Sequence, residues 1–140
     1  MLAFKSWLVA TIVNDTQMQT LLNATSSTMP VYPTDADVQP EAFPSITYKD
    51  AGVSVLSRPQ GMHVGIIQLD IWSTTSAIEA ENIYERLAQL LNFKDSTTQT
   101  ITGTLWWIRE NGARDQHTPS RRLWHKQVDL KYWMNNAGNT

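Results

Sequence analysis

The spacing of apolar residues changes period along the chain, and the changes mark the elements. Leu8, Ile12 and Val13 fall on one helical face. Asp15 then stands where an N-cap belongs, ahead of a short turn carrying Met18, Leu21 and Leu22. Residues 3–22 therefore predict one broken helix or two short ones. Residues 23–45, "NATSSTMPVYPTDADVQPEAFPS", hold four prolines and many small polar residues, which predicts a long irregular connection. Val31 and Tyr32 lie between prolines, so a short extended piece is expected there.

From Ser45 onward the period shortens to that of strands. "SITY", Ser45–Tyr48, predicts a first strand. Gly52, Pro59 and Gly61 then interrupt the pattern, so Lys49–Gly61 reads as a wide hairpin arm, with room for a strand at Val53–Leu56. His63–Trp72 predicts the second strand. Ile67, Leu69 and Ile71 share one face; Val64, Ile66, Gln68 and Asp70 share the other, expected to be the less buried. Ser76 with Glu79 three residues later forms a capping box. It opens a helix whose apolar stripe is Ala80, Ile83, Tyr84, Leu87, Leu90 and Leu91. Glu81 and Glu85 form a like-charge i,i+4 pair that calls for a neutralising partner.

Thr100–Arg109 predicts a third strand, and Asn111-Gly112 in "ENGARDQHTPS" a hairpin turn. The fourth strand, Arg122–Trp133, places Trp124, Val128, Leu130 and Tyr132 on one face, with His125, Gln127, Asp129 and Lys131 on the other. Residues 134–140 read as a disordered tail. The whole predicts a single α+β domain. Its sheet is mostly antiparallel and four-stranded, its helices pack on one face, and its hairpin loops protrude.

Bulk properties narrow the function. The 140 residues suit one core, and the net charge of −2 is not the footprint of a nucleic-acid reader. With no cysteine, disulfides, thiolate metal sites and cysteine nucleophiles are excluded. No apolar run approaches the roughly 20 residues of a membrane span. The apolar core Trp7–Val13 is short and lacks a clean cleavage site, so a helix is favoured over a signal peptide there.

Tryptophan is abundant, with six in the chain. Trp106 and Trp107 are adjacent in a strand and are expected on opposite faces, as are Trp124 and Trp133. With helices on one face only, a large aromatic is left on the open face. Tryptophan is enriched at interfaces, so a subunit contact is the sharper reading and an isolated exposed aromatic the bland one.

Chemistry is sparse. His117 and His125 could approach across the last hairpin, with Asp115 or Asp129 as further ligands. No ligand spacing of a known metal motif accompanies them, so separate hydrogen-bonded histidines are the default. Neither a nucleophile elbow nor a Gly-rich phosphate loop occurs. Asp70, Glu79, Glu81 and Glu85 read as cap and solvated surface.

In order, the elements resemble the tail-terminator and tail-completion proteins of long-tailed bacteriophages, over about Ser6–Trp133. The residues that carry the resemblance start with the D-x-x-[apolar]-x-x-L segment at Asp15–Leu21. Val31-Tyr32 and the Pro-containing "FPSITY", Phe43–Tyr48, come next. Last is "LDIWSTTSAIEAENIYERLAQLL", Leu69–Leu91, with its Ile71-Trp72 junction.

The resemblance implies a non-enzymatic virion protein without cofactors. It implies a homo-oligomeric ring, expected as a hexamer, at the head-proximal end of the tail. Its partners would be the tail tube protein and a head-completion or connector protein, with DNA passing through the lumen unread. The expected interface residues are Trp106, Trp124 and Trp133, Lys49 and Arg58 of the arm, and Arg109, Arg114, Arg121 and Arg122 of the last hairpin. A head-side adaptor near the portal is the alternative in the same class. A metal-dependent hydrolase using His117, His125 and Asp129, and a monomeric binding module, are the alternatives outside it.

Overall fold

The computed structural model describes residues 2–33, 43–55, 62–91, 104–118 and 123–135. Its elements in chain order are α1 (Leu2–Val13), α2 (Thr16–Leu21), β1 (Val31–Pro33), β2 (Ser45–Val55), β3 (Met62–Ser73), α3 (Ala77–Leu91), β4 (Thr104–Thr118) and β5 (Leu123–Asn135). The strands form one sheet in the order β1-β2-β3-β5-β4. The fold is α+β, but the sheet has five strands and is mixed, not four-stranded and antiparallel. The fifth strand is the Val31-Tyr32 piece. It runs parallel to β2, with Val31 opposite Ile46 and Tyr32 opposite Thr47. Prolines on both sides keep this edge strand to three residues, which limits what it can template.

The centre of the sheet is the β3–β5 pair, twelve antiparallel partners from Met62↔Asn135 to Ser73↔Trp124. β4 runs in the direction of β3 on the far side of β5, so β3-α3-β4 is a split crossover and β5 fills the gap. Opposed residues share a face. Ile67, Leu69 and Ile71 therefore meet Leu130, Val128 and Lys126 on the side that carries the helices. All of the predicted α3 stripe is there: Ala80, Ile83, Leu87 and Leu91 are buried, and Tyr84 and Leu90 pack at its margin. Leu8, Ile12 and Met18 close the core from α1 and α2.

Tyr132 lies opposite Gly65 and is fully buried. A Cβ at Gly65 would collide with two ring carbons and the hydroxyl oxygen of Tyr132, so the glycine leaves the space that the side chain occupies. Burial, and then the charge of Asp50, push the Tyr132 hydroxyl up to about 12.

Local capping follows the sequence with one addition. Ser76 Oγ accepts from the Glu79 N–H at 3.1 Å, as the capping box requires. Glu79 does not reach back to the Ser76 N–H. It accepts from the Ser73 hydroxyl at 2.7 Å, and that hydroxyl accepts from the Thr75 and Ser76 N–H groups. Ser73, the last residue of β3, thus relays the cap.

Asp15 caps α2 by accepting from the Met18 N–H at 2.9 Å. The same carboxylate takes a bidentate pair of bonds from Arg86 of α3, at 2.9 and 2.6 Å. Its side chain is only 12% exposed, so the pair is weakly screened. The Arg86 bonds hold the Asp15 carboxyl below its usual range, against the opposing effect of burial.

Several boundaries differ from expectation. Lys49–Val55 was expected in a protruding arm, yet it is part of β2 and pairs with His63–Gln68 around a bulge at Ala51. Residues 56–61 lie outside the described residues. Asn111-Gly112 is not a turn. β4 continues through it to Thr118, with Asn111 as a bulge residue, and the connection to β5 falls after Thr118. Gly112 has φ of 155°, the positive range that turns and glycine bulges both need, so the same dipeptide signals either. A second bulge sits at Trp106 and breaks the strict alternation expected for Trp106-Trp107. β5 runs through Asn135, two residues into the expected tail. No helix among the described residues is long and apolar enough to cross a membrane.

Two substitutions test this packing. Gly65→Ala is expected to destabilise by about 1–3 kcal/mol through overpacking against Tyr132, read as a lower urea midpoint at unchanged slope. Asp15→Ala is expected to cost about 1–3 kcal/mol, combining a lost cap with an unpaired Arg86. The folded Asp15 pKa is depressed. Its contribution is therefore fully present above the ordinary carboxylate value, about 4, and is lost as pH falls through the folded value. The thermal stability gap between wild type and Asp15→Ala should accordingly narrow below about pH 4.

Candidate functional site

The candidate site is the sheet face that carries no helices. Its central rows follow from register. Ser45, Trp72, His125 and Gln116 occupy one row, Thr47, Asp70, Gln127 and Arg114 the next, and Lys49, Gln68, Asp129 and Gly112 the third. This face was expected to be the less buried one and to be merely solvated at Asp70. Its middle is instead closed: Asp70 is 3% exposed, Thr47 is 6% and Ser45 is fully buried.

A buried carboxylate must be paired or hydrogen-bonded. His125 Nε2 lies 2.6 Å from Asp70 Oδ1, its N–H donating to the carboxylate across the β3–β5 ladder. The Gln68 amide donates to the same carboxylate at 2.9 Å. Trp72 stacks flat on the His125 ring, with centroids 3.9 Å apart and planes 7° apart, and its indole N–H donates to Thr47 Oγ at 3.0 Å. One network thus ties β2, β3 and β5 together on the open face. It fixes the imidazole in place and occupies one of its nitrogens.

This arrangement does not assemble the imagined metal site. His125 is engaged by Asp70 and not by Asp129, four residues along the same strand and roughly 13 Å away. His117 is opposite Trp124, one register step from His125. Asp115 is bonded to Lys126 at 3.2 Å. Among the described residues no three metal-ligating side chains come together.

On the helix side, Lys126 neutralises Glu81, one member of the Glu81–Glu85 like-charge pair. Its amine reaches Glu81 at 2.9 Å and Asp115 at 3.2 Å and lies over the Tyr84 ring, 4.5 Å from the centroid. Burial works against the Lys126 charge, but the Glu81 and Asp115 carboxylates outweigh it and hold its pKa up. Tyr84 donates to Glu110 of β4 at 2.6 Å; burial first, and then this carboxylate, push its hydroxyl up to about 12.

The expected interface residues separate into groups. Trp133, Lys49 and Arg114 lie on the open face. Lys49 and Arg114 are exposed, and Trp133 is half-buried beneath the Lys131 amine, 5.2 Å from its ring centroid. Trp124 shares the helix-side face with Ser73 and is half-buried. Arg109 is opposite Lys131, and Trp106 is the bulge residue of β4. Arg58, Arg121 and Arg122 lie outside the described residues. From sequence, Asp70 read as solvated surface, Trp72 entered only through the Ile71-Trp72 junction, and Thr47 was not singled out. The alternation placed Asp70 on the correct face, but its pairing with His125, 55 residues away, needs the β3–β5 register.

No family model matches the chain, and no curated protein matches it by sequence. Among solved structures, a chain from the virion of a native gene transfer agent particle superposes with a TM-score of 0.78. The match covers 96% of each chain at 11% identity. At that identity the likeness is one of fold.

Asp70→Ala leaves the His125 and Gln68 donors without their buried acceptor and is expected to destabilise by about 1–3 kcal/mol in urea unfolding. Wild-type behaviour would show that the network contributes nothing to stability.

Proposed function

We propose that this chain is a structural virion protein of a phage-like particle. In this reading it forms a ring at the head-proximal end of the tail, ends the tail tube and joins it to the head, with no catalysis. The observation that carries the reading is the end-to-end likeness of its fold to a chain of a virion particle. The position within the particle rests on the tail-terminator resemblance carried by Asp15–Leu21, Phe43–Tyr48 and Leu69–Leu91.

Two physical features fit a ring. The domain is two-layered, with helices on one face of the sheet, and Trp133, Lys49 and Arg114 on the other. Neighbours in a cyclic ring meet through two different patches, which a one-sided domain offers. The net charge of −2 suits a channel wall that DNA passes without being retained. Partners in this reading are further copies of the chain, the tail tube protein and a connector protein on the head side.

Mass by light scattering, alone and with isolated tail tubes, tests the proposal. A species of about six copies of the 15.9 kDa chain is expected, either free or capping one end of the tubes in electron micrographs. A monomer that ignores tubes at every concentration would overturn it.

A further inference from the structure

We infer that the open sheet face of one copy receives the outward stripe of α3 from a second copy, an inference that rests on the ring reading above. Ile78, Asn82, Glu85 and Gln89 are all exposed, and their spacing puts them along the outer side of the helix. Ile78 is 71% exposed, the largest exposure among the described large apolar side chains. Glu79 is used by Ser73 and Glu81 by Lys126, whereas Glu85 makes no hydrogen bond or ion pair among the described residues. Asp115, 75% exposed beside α3, adds to the acidity of this side, while Lys126 is buried and Arg86 is held by Asp15.

The open face has the complementary chemistry. Lys49 and Arg114 are exposed there and form no ion pair among the described residues, while the Asp70 carboxylate is taken up by His125 and Gln68. Two buried polar atoms on this face, Ser45 Oγ and Asp129 Oδ1, have no hydrogen-bond partner among the described residues. A buried polar atom of this kind is unfavourable until something satisfies it. Glu85 carries the charge that Arg114 and Lys49 lack.

The dimensions agree. Ile78 to Gln89 spans about 16 Å of helix at 1.5 Å per residue. Lys49 on β2 and Arg114 on β4 are three strand spacings apart, about 14 Å. The two patches differ and lie on opposite layers of the domain, so one contact leaves a free patch at each end and the pairing propagates head-to-tail.

The chain has no cysteine, so introduced pairs report cleanly. The double variant Glu85→Cys, Arg114→Cys, oxidised under conditions where wild type assembles, should give a ladder of covalent multimers on a non-reducing gel. Either single variant should stay monomeric on the same gel, since the contact places no second cysteine opposite it. Arg114→Glu and Glu85→Lys should each raise the concentration needed for assembly about tenfold, and the two together should restore it. Unchanged melting temperatures of the monomers would show that folding is intact. Normal assembly of both charge variants, with no ladder from the double cysteine variant, would overturn this packing and leave the ring standing. A wild type that never self-associates, with or without tubes, would overturn both.

Discussion

Pairing of β3 with β5 places nearly everything else. Its register sets Ile67 against Leu130 and Leu69 against Val128 on one face, which gives the helices an apolar floor. The same register brings His125 beside Trp72 and within reach of Asp70 on the other. A slip of one residue would exchange the two faces and put a carboxylate and an imidazole into the core. The fit of Tyr132 over Gly65 opposes such a slip, because no other position in β3 is a glycine. One ladder thus specifies both the hydrophobic layer and the polar network of the open face.

The apolar core holds the helical layer to this sheet, and ion pairs at its margins orient it. Asp15 and Arg86 join α2 to α3, Lys5 joins α1 to Asp50 of β2 at 2.6 Å, and Lys126 joins β5 to α3 and β4. The more exposed of these contacts contribute little each. The Asp15–Arg86 pair is the exception, being bidentate and shielded, and it also satisfies a helix end. The apolar stripe of α3 supplies the area; these contacts fix the direction in which the helices lie.

What could be read from the sequence was local. The break between α1 and α2, the Asp15 cap, the Ser76–Glu79 box and the α3 stripe each depend on residues within a turn or two of one another. Strand faces were also legible, since alternation needs no partner. What failed needed a neighbour. The status of Val31–Pro33 as a strand depends on β2, and the burial of Asp70 depends on His125. Asn111-Gly112 was ambiguous because one backbone requirement serves both a turn and a bulge, and only the length of β5 decides between them. The tryptophan surplus pointed to an open face but not to the Trp72–His125 stack at its middle.

The position of β5 bears on how the molecule is made. It is the last of the five strands to leave the ribosome, and it sits in the interior of the sheet. Until it arrives, β3 and β4 each have a vacant edge, and the open-face network lacks its histidine. The open face is therefore unfinished during most of translation. Synthesis order thus acts as a timer: the sheet, with both of its faces, is completed only when its last strand is inserted between two that are already made.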